Sequence, residues 1–405
     1  MNPETSPNSP RTHQQPKKVI TGDHAVAIGA KLCRVDVVPA YPITPQTLII
    51  EHIADFVSDG ELDAKFLTME SEHSVMSAAA AASASGARVF TATSSQGLAF
   101  MHEMLYATAP LRLPVVMANA SRTLGGPPGI WCEYNDSMGA RDSGWLQLYV
   151  EDNQEALDMV IQCFRIAEDK RVLLPVMPCL DGFVLTHTVE PVEVPEQEEV
   201  DLFLPAYIPD ITLDPARPSM IGTFMPAEYI MELRRQTAGA MESAKKAIGE
   251  INDEFARRFG RNYGGLIDTY RMEDAEIALI TMGTVTSTSR DVVDELRREG
   301  RKVGLVKLRF FRPFPSEELR KVLSGVSAVG VFDRSISFQG GGQSYNEVRS
   351  ALFGMTIPII NHLAGLGGRD VTREQIMKMF EITLKAAKGE KVNLVNWHNT
   401  RGETL

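Results

Sequence analysis

The chain is poorly equipped to hold a metal cluster. Its 405 residues include four cysteines, Cys33, Cys132, Cys163 and Cys179. None of them form the C-x-x-C spacing that grips zinc or iron–sulfur clusters, so neither is expected on this chain alone and free thiols are the plain reading. No uncharged apolar run approaches the roughly 18 residues that a bilayer requires. Residues 1–17, rich in Pro, Ser, Asn and Gln, lack the apolar core of a secretory signal. Positive charge is in deficit, with 41 Lys and Arg against 52 Asp and Glu and a net charge of −11, which argues against nucleic acid or an anionic membrane surface as the main partner. A cytoplasmic protein with a disordered tail over residues 1–19 is expected.

What the chain does have is regular alternation. Helical and strand patterns follow one another from residue 21: helix 23–33, strand 35–41, helix 46–57, strand 64–69, helix 75–85, strand 88–93, helix 98–109 and strand 114–119. A helix over 153–167 and a strand over 172–177 close the series. Strands alternating with helices of this length predict a parallel sheet covered on both faces. The first domain is therefore placed at residues 20–188. Residues 189–218 are acidic and punctuated by proline, with neither helical nor strand period, and read as a connecting arm. A long helix over 227–259 completes a connector spanning 189–274. A second α/β unit occupies 275–390, with strand 277–283, helix 287–299 and strand 302–310, followed by a C-terminal tail, 391–405. Gly283-Thr284-Val285 lacks the rest of a dinucleotide fingerprint and reads as a tight turn. The fold class is α/β, with two doubly wound parallel-sheet domains.

Chemistry-bearing residues recur where strands end. In Ala40-Tyr41-Pro42-Ile43-Thr44-Pro45, Thr44 reads as a helix N-cap with Pro45 at N1, a corner whose free N–H groups suit a carboxylate. Glu72 falls in the first turn of a helix of small residues, and Arg122 lies just past the strand ending at Asn119. If those strands are parallel, Thr44, Glu72 and Arg122 meet at one carboxyl edge, where open α/β sheets bind ligands. Each residue alone also has a plain reading: a cap, a carboxylate complementing a helix dipole, a surface cation.

The Y-P-I-T-P run at 41–45, Ser71-Glu72, Thr93-Ser94-Ser95-Gln96-Gly97-Leu98, Ala120-Ser121-Arg122, Arg141-Asp142-Ser143-Gly144-Trp145 and Leu180-Asp181-Gly182-Phe183 occur in a familiar order. Together they resemble the 2-oxoacid:ferredoxin oxidoreductases, and specifically the α subunit of the pyruvate:ferredoxin type, over about residues 20–390. The resemblance implies a thiamine pyrimidine-binding-type domain followed by a transketolase C-terminal-like domain. Glu72 would be catalytic, hydrogen-bonding the aminopyrimidine ring of thiamine diphosphate; the family pattern selects it over Glu70 because it directly follows the serine. Thr44 and Arg122 would hold the substrate, and Ser95 and Gln96 would touch the thiamine ring. No metal ligand is assigned to this chain.

A G-D-G segment in its usual context is missing, so the site should be shared. The resemblance implies a β subunit carrying the diphosphate and Mg²⁺, a γ subunit, a ferredoxin-like subunit with [4Fe-4S] clusters, and as a further candidate a flavin- or NAD-binding subunit, assembled as a dimer of heteromers. Coenzyme A would be co-substrate, and ferredoxin or NAD the electron acceptor. One loop departs from the family pattern A-P-x-N-I-W-G-D-H-S-D: Gly129 replaces an asparagine, Cys132-Glu133 replaces Gly-Asp, and Tyr134 replaces a histidine. Pyruvate is the commonest substrate of the family, but room near Arg122, with Tyr134 as an aromatic contact, would suit comparably well a bulkier 2-oxoacid, an aryl one such as phenylglyoxylate or a branched one. A non-oxidative thiamine decarboxylase subunit and a catalytically empty scaffold are the competing readings.

Overall fold

A computed structural model describes residues 17–402. The first unit runs β1 (Lys17–Thr21), α1 (Gly22–Leu32), β2 (Val37–Ala40), α2 (Thr47–Ser58), β3 (Lys65–Thr68), α3 (Glu72–Ala84), β4 (Val89–Thr93), α4 (Ser95–Phe100), α5 (His102–Thr108), β5 (Val115–Ser121), α6 (Asn135–Gly139), β6 (Leu146–Tyr149), α7 (Asn153–Ala167) and β7 (Val176–Asp181). The connector holds β8 (Val189–Glu193), α8 (Gln197–Phe203) and α9 (Ala227–Phe259). The second unit runs β9 (Ile267–Tyr270), β10 (Ile277–Thr281), α10 (Val285–Arg298), β11 (Val303–Leu308), β12 (Phe310–Arg312), α11 (Ser316–Val322), β13 (Ala328–Asp333), α12 (Gln343–Ala351), β14 (Ile359–Leu363), α13 (Arg373–Ala387) and β15 (Val395–Trp397). Among the described residues no helix is long and apolar enough to cross a membrane.

Seven strands form the first sheet in the order β12-β6-β7-β5-β4-β2-β3. All of its neighbours are parallel except β12, which pairs antiparallel with β6. Every residue of β4, β5 and β7 is buried, the signature of parallel strands covered on both faces. The second sheet has the order β15-β14-β13-β10-β11-β9, parallel but for β9. The α/β expectation holds, and α9 has the bounds that its apolar period predicts.

Five boundaries differ, four of them because a tertiary partner takes over the backbone. Residues 17–19, expected in the tail, belong to β1, which pairs with β8; the rest of that expected tail lies outside the described residues. The same pairing orders the acidic segment, which also contains α8. Residues 395–397, expected in the C-terminal tail, form the edge strand β15 against β14. The strand expected over 172–177 begins only at Val176, because the Arg112 side chain binds the carbonyls of Val172 and Leu173 and Leu173 turns to a φ of +42°. The helix expected over 98–109 is divided into α4 and α5 at Met101.

The chain passes from the second sheet to the first at Arg309, between β11 and β12. Crossing there buries charge. Lys307 Nζ lies 2.6 Å from Glu155 and 3.0 Å from Glu151, and Arg309 Nε lies 3.0 Å from the other Glu155 oxygen. Burial pushes the Glu155 carboxyl up, but Lys307 and Arg309 outweigh it and hold the group down at about 2. A buried pair is costly to break from one side, about 3–5 kcal/mol. Lys307→Met should therefore lower the melting temperature by several degrees at neutral pH. Because Glu155 has a depressed folded-state pKa, the deficit should be full above its ordinary value of 4.5 and shrink as pH falls toward 2. A variant melting with wild type at pH 7 contradicts this seam.

Candidate active site

The carboxyl ends of β2, β4, β5 and β7 lie at one edge of the first sheet. Arg122, one residue beyond β5, reaches across it: one terminal nitrogen donates to the Thr44 carbonyl and the other donates to Gln96 Oε1 at 2.7 Å. Ser95 Oγ stands 2.7 Å from the same Gln96 oxygen and also contacts the Thr123 carbonyl. Of the residues expected at one edge because of their strand positions, Thr44 and Arg122 are thus joined in one hydrogen-bonded cluster, together with Ser95 and Gln96, which the resemblance had singled out; Glu72 stands outside that cluster. Thr44 itself differs from expectation. It is not an N-cap; α2 starts at Thr47, after a turn in which the Gln46 side chain donates to the Tyr41 carbonyl. Its main-chain oxygen meets Arg122.

Glu72 is the first residue of α3, whose N-cap Ser71 accepts from the Ser74 N–H. It is 8% exposed. Among the described residues no hydrogen bond or ion pair to its carboxylate is found. Its wall is Gly97: a Cβ there would lie 2.7 Å from Glu72 Oε1 and 2.6 Å from Thr93 Oγ1, so only glycine lets α4 pass this close to the acid. Glu70 behaves differently. Its exposed carboxylate accepts from Ser74 Oγ, and that bond holds it below the usual carboxylate range. Gln46 Oε1, Thr93 Oγ1, Thr123 Oγ1 and Arg122 Nε are likewise buried without hydrogen-bond partners among the described residues. Native interiors leave few such atoms unpaired. An unpaired carboxylate and a row of unsatisfied polar atoms along one sheet edge fit a polar ring or a carboxylate bound there.

Tyr134 was expected to offer an aromatic face to a ligand, and the structure corrects this. It is 1% exposed, and its hydroxyl donates to Asp181 Oδ1 at 2.5 Å. Asp181 also accepts from Arg334 at 2.5 Å and from the Thr284 hydroxyl. Gly283, at a φ of +73°, closes the βα turn directly on the ring, where a Cβ would come within 2.0 Å of the Tyr134 hydroxyl. The residue is a strut between the two units. Cys132 is buried beside it, 3.2 Å from Arg334, and burial pushes its thiol up. Gly129 opens no space either: a Cβ would lie 2.6 Å from Thr123 Oγ1.

Two features escape a linear reading. Asp136, 3% exposed, accepts from the main-chain N–H groups of Ser95 and Arg122; an acid in a polar loop gives no sign of such partners. Trp131, 52% exposed, packs on Phe183 with ring centres 5.0 Å apart, and Phe183 packs on His187 at 4.6 Å. The short spacing of Phe183 and His187 could have suggested contact between them, but nothing local points to Trp131. If Tyr134 is a strut, Tyr134→Phe should lower stability by about 1.5–3 kcal/mol, the range for a hydrogen bond to a charged group. An unaltered thermal melt would return Tyr134 to the ligand side.

Known proteins resemble the chain over most of its length. Residues 28–253 match the family described as pyruvate flavodoxin/ferredoxin oxidoreductase, thiamine diP-bdg, and residues 275–376 match pyruvate:ferredoxin oxidoreductase core domain II. The chain is 52% identical over 366 residues to the pyruvate synthase subunit PorA of Methanothermobacter thermautotrophicus, covering 90% of this chain and 95% of that one. It is 46% identical to PorA of Pyrococcus furiosus, covering 96% and 99%. It is 44% identical to the ketoisovalerate oxidoreductase subunit VorA of Pyrococcus horikoshii, covering 95% and 98%. Among solved structures, the 2-oxoglutarate:ferredoxin oxidoreductase from Magnetococcus marinus, with 2-oxoglutarate, coenzyme A and succinyl-CoA bound, shares the fold. That likeness has a TM-score of 0.70 at 22% identity, covering 91% of this chain and 65% of that one.

Proposed function

Because the chain belongs to the pyruvate flavodoxin/ferredoxin oxidoreductase family, as an α-type subunit of a 2-oxoacid oxidoreductase, we propose that it forms half of a shared site for the CoA-acylating oxidative decarboxylation of pyruvate. The observation that carries this reading is Glu72, a buried carboxylate with no partner among the described residues, at the edge where Arg122, Gln96, Ser95 and Thr44 converge.

Thiamine diphosphate, when bound, supplies the electron sink for cleaving the bond between the carboxyl and keto carbons, which no side chain can provide. Glu72 would hydrogen-bond the pyrimidine ring through a side-chain oxygen and hold a proton there. Gly97 keeps that oxygen within reach of the helix that follows β4, and Ser95 and Gln96 would line the ring. Arg122 carries a permanent charge on a planar fork, suited to the substrate carboxylate, while Thr44 would add a directional bond. The carboxylate leaves as carbon dioxide, so this attraction weakens along the reaction, which is differential binding in the useful direction.

A β subunit would bring the diphosphate and Mg²⁺. A γ subunit and a ferredoxin-like [4Fe-4S] subunit would complete a cytoplasmic dimer of heteromers, with coenzyme A taking the acyl group and electrons passing to ferredoxin or, through a flavin- or NAD-binding subunit, to NAD. Pyruvate is preferred over an aryl acid such as phenylglyoxylate, since burial of Tyr134 and the contact of Gly129 with Thr123 remove the features that favoured a larger pocket. A branched 2-oxoacid is the second reading, supported by the likeness to the ketoisovalerate enzyme subunit.

In the assembled complex, Glu72→Gln should lower kcat by about 10²–10⁴-fold, the usual contribution of a positioned acid–base group, with coenzyme content retained. Unchanged turnover would contradict the assignment. Measured against 3-methyl-2-oxobutanoate and phenylglyoxylate, pyruvate should show a kcat/KM at least roughly tenfold higher, the scale on which a pocket discriminates by a few methylenes. Preference for the branched acid would move the assignment to the second reading.

A further inference from the structure

We propose that Asp136 is a positioning residue for the 2-oxoacid carboxylate: one of its buried oxygens fixes the backbone at Ser95 and Arg122 and thereby sets where the Arg122 guanidinium stands. This rests on the functional reading above and extends it to a residue that need not touch substrate. Asp136 Oδ2 accepts from the Ser95 N–H at 3.1 Å, the Arg122 N–H at 3.1 Å and the Asn119 side-chain amide at 3.2 Å, while Oδ1 accepts from the Ser137 N–H at 2.6 Å. One oxygen thus ties together the ends of the neighbouring strands β4 and β5.

What it restrains are the two points from which the site side chains depart. Ser95 has a φ of +47°, a region that residues with a side chain rarely occupy unless they are held there. Gln96 follows it directly, and Gln96 Oε1 is one of the two oxygens that receive the Arg122 guanidinium. The acid hydrogen-bonds the main chain of Arg122 and acts on its guanidinium only through space, with no direct ion pair between them. The guanidinium donates to neutral oxygens, those of Thr44 and Gln96, so Arg122 is oriented without being neutralised by a direct ion pair. An arginine held in that way keeps its charge for an incoming carboxylate.

The alternative is that Asp136 is only a structural fastener, and kinetics in the assembled complex separate the two. Asparagine has one accepting oxygen and must turn its amide hydrogens toward either Ser137 or the three-donor cluster. Asp136→Asn should therefore raise KM for pyruvate and Ki for oxamate, a non-reacting isostere of the substrate, by the same factor of roughly tenfold or more, as expected for misplacing a binding group. Simple loss of folded enzyme would lower kcat and leave KM and Ki where they were, which would overturn the proposal. If that variant does not assemble, Asn119→Ser removes one of the three donors and should shift both constants in the same direction by a smaller factor.

A double-mutant cycle adds a second arm. In an Arg122→Ala background, Asp136→Asn should change the oxamate Ki by less than about twofold, because the group it positions is gone. Multiplicative effects would overturn the role. A wild-type complex that neither turns over 2-oxoacids nor binds oxamate would remove the functional reading and this proposal with it. A wild-type complex that binds oxamate, beside an Asp136→Asn complex with wild-type constants, would remove this proposal alone.

Discussion

A single guanidinium joins three strand ends that are far apart in the chain. Arg122 leaves the end of β5, donates to the carbonyl of Thr44 beyond β2, and donates to the side chain of Gln96 beyond β4. That reach is possible only because β5, β4 and β2 are consecutive in the sheet and parallel, so that their carboxyl ends share one edge. The connections that turn a parallel sheet inside out would scatter these residues over both edges. The right topology gathers them, and the crossover helices that impose it also cover both sheet faces. Glu72 enters from the next strand end in the same direction, buried against Gly97 and without a partner among the described residues.

The second unit takes part in this arrangement through the loop that follows Arg122. Tyr134, near the end of that loop, is bonded to Asp181 at the end of β7, and Asp181 is bonded to Arg334 and Thr284 of the second unit. Further along, Glu133 accepts from the Gly367 N–H, and burial pushes its carboxyl above the usual range. The loop is therefore braced at several points by a domain whose layout alone suggests no chemistry. The exchange of a strand between sheets at Arg309, with its buried charges, locks the same two bodies together from another side. Rigid elements and a braced loop are what a site needs if side chains are to be held to a fraction of an ångström.

Much of this was legible in the linear sequence because it depends on period and on position relative to strand ends. The alternating pattern predicts the α/β class, the 3.6-residue period predicts α9 to the residue, and the order of Thr44, Glu72, Ser95, Gln96 and Arg122 places all five after strands of one sheet. The misreadings share a cause. Tyr134 looks like an exposed ligand contact until a carboxylate 47 residues later and a glycine turn of the other unit enclose it. Residues 172–175 look like a strand until Arg112 takes two of their carbonyls. The acidic segment and the C-terminal residues have no period of their own and become strands by pairing with β1 and β14. Asp136 belongs to the same class, since its partners are backbone N–H groups that no residue type announces. Local pattern reports local structure; contacts that close long loops have to be seen.

The central claim is that the Glu72 carboxylate meets the pyrimidine ring of thiamine diphosphate in a cleft completed by another subunit. Its most direct test is an experimental structure of the assembled complex with the coenzyme bound. The account predicts a Glu72 side-chain oxygen within hydrogen-bond distance of a pyrimidine ring nitrogen, about 2.6–3.2 Å, with Arg122 facing the same cleft. A coenzyme bound with its ring beyond reach of Glu72, or a Glu72 carboxylate turned to solvent in the loaded complex, would contradict it.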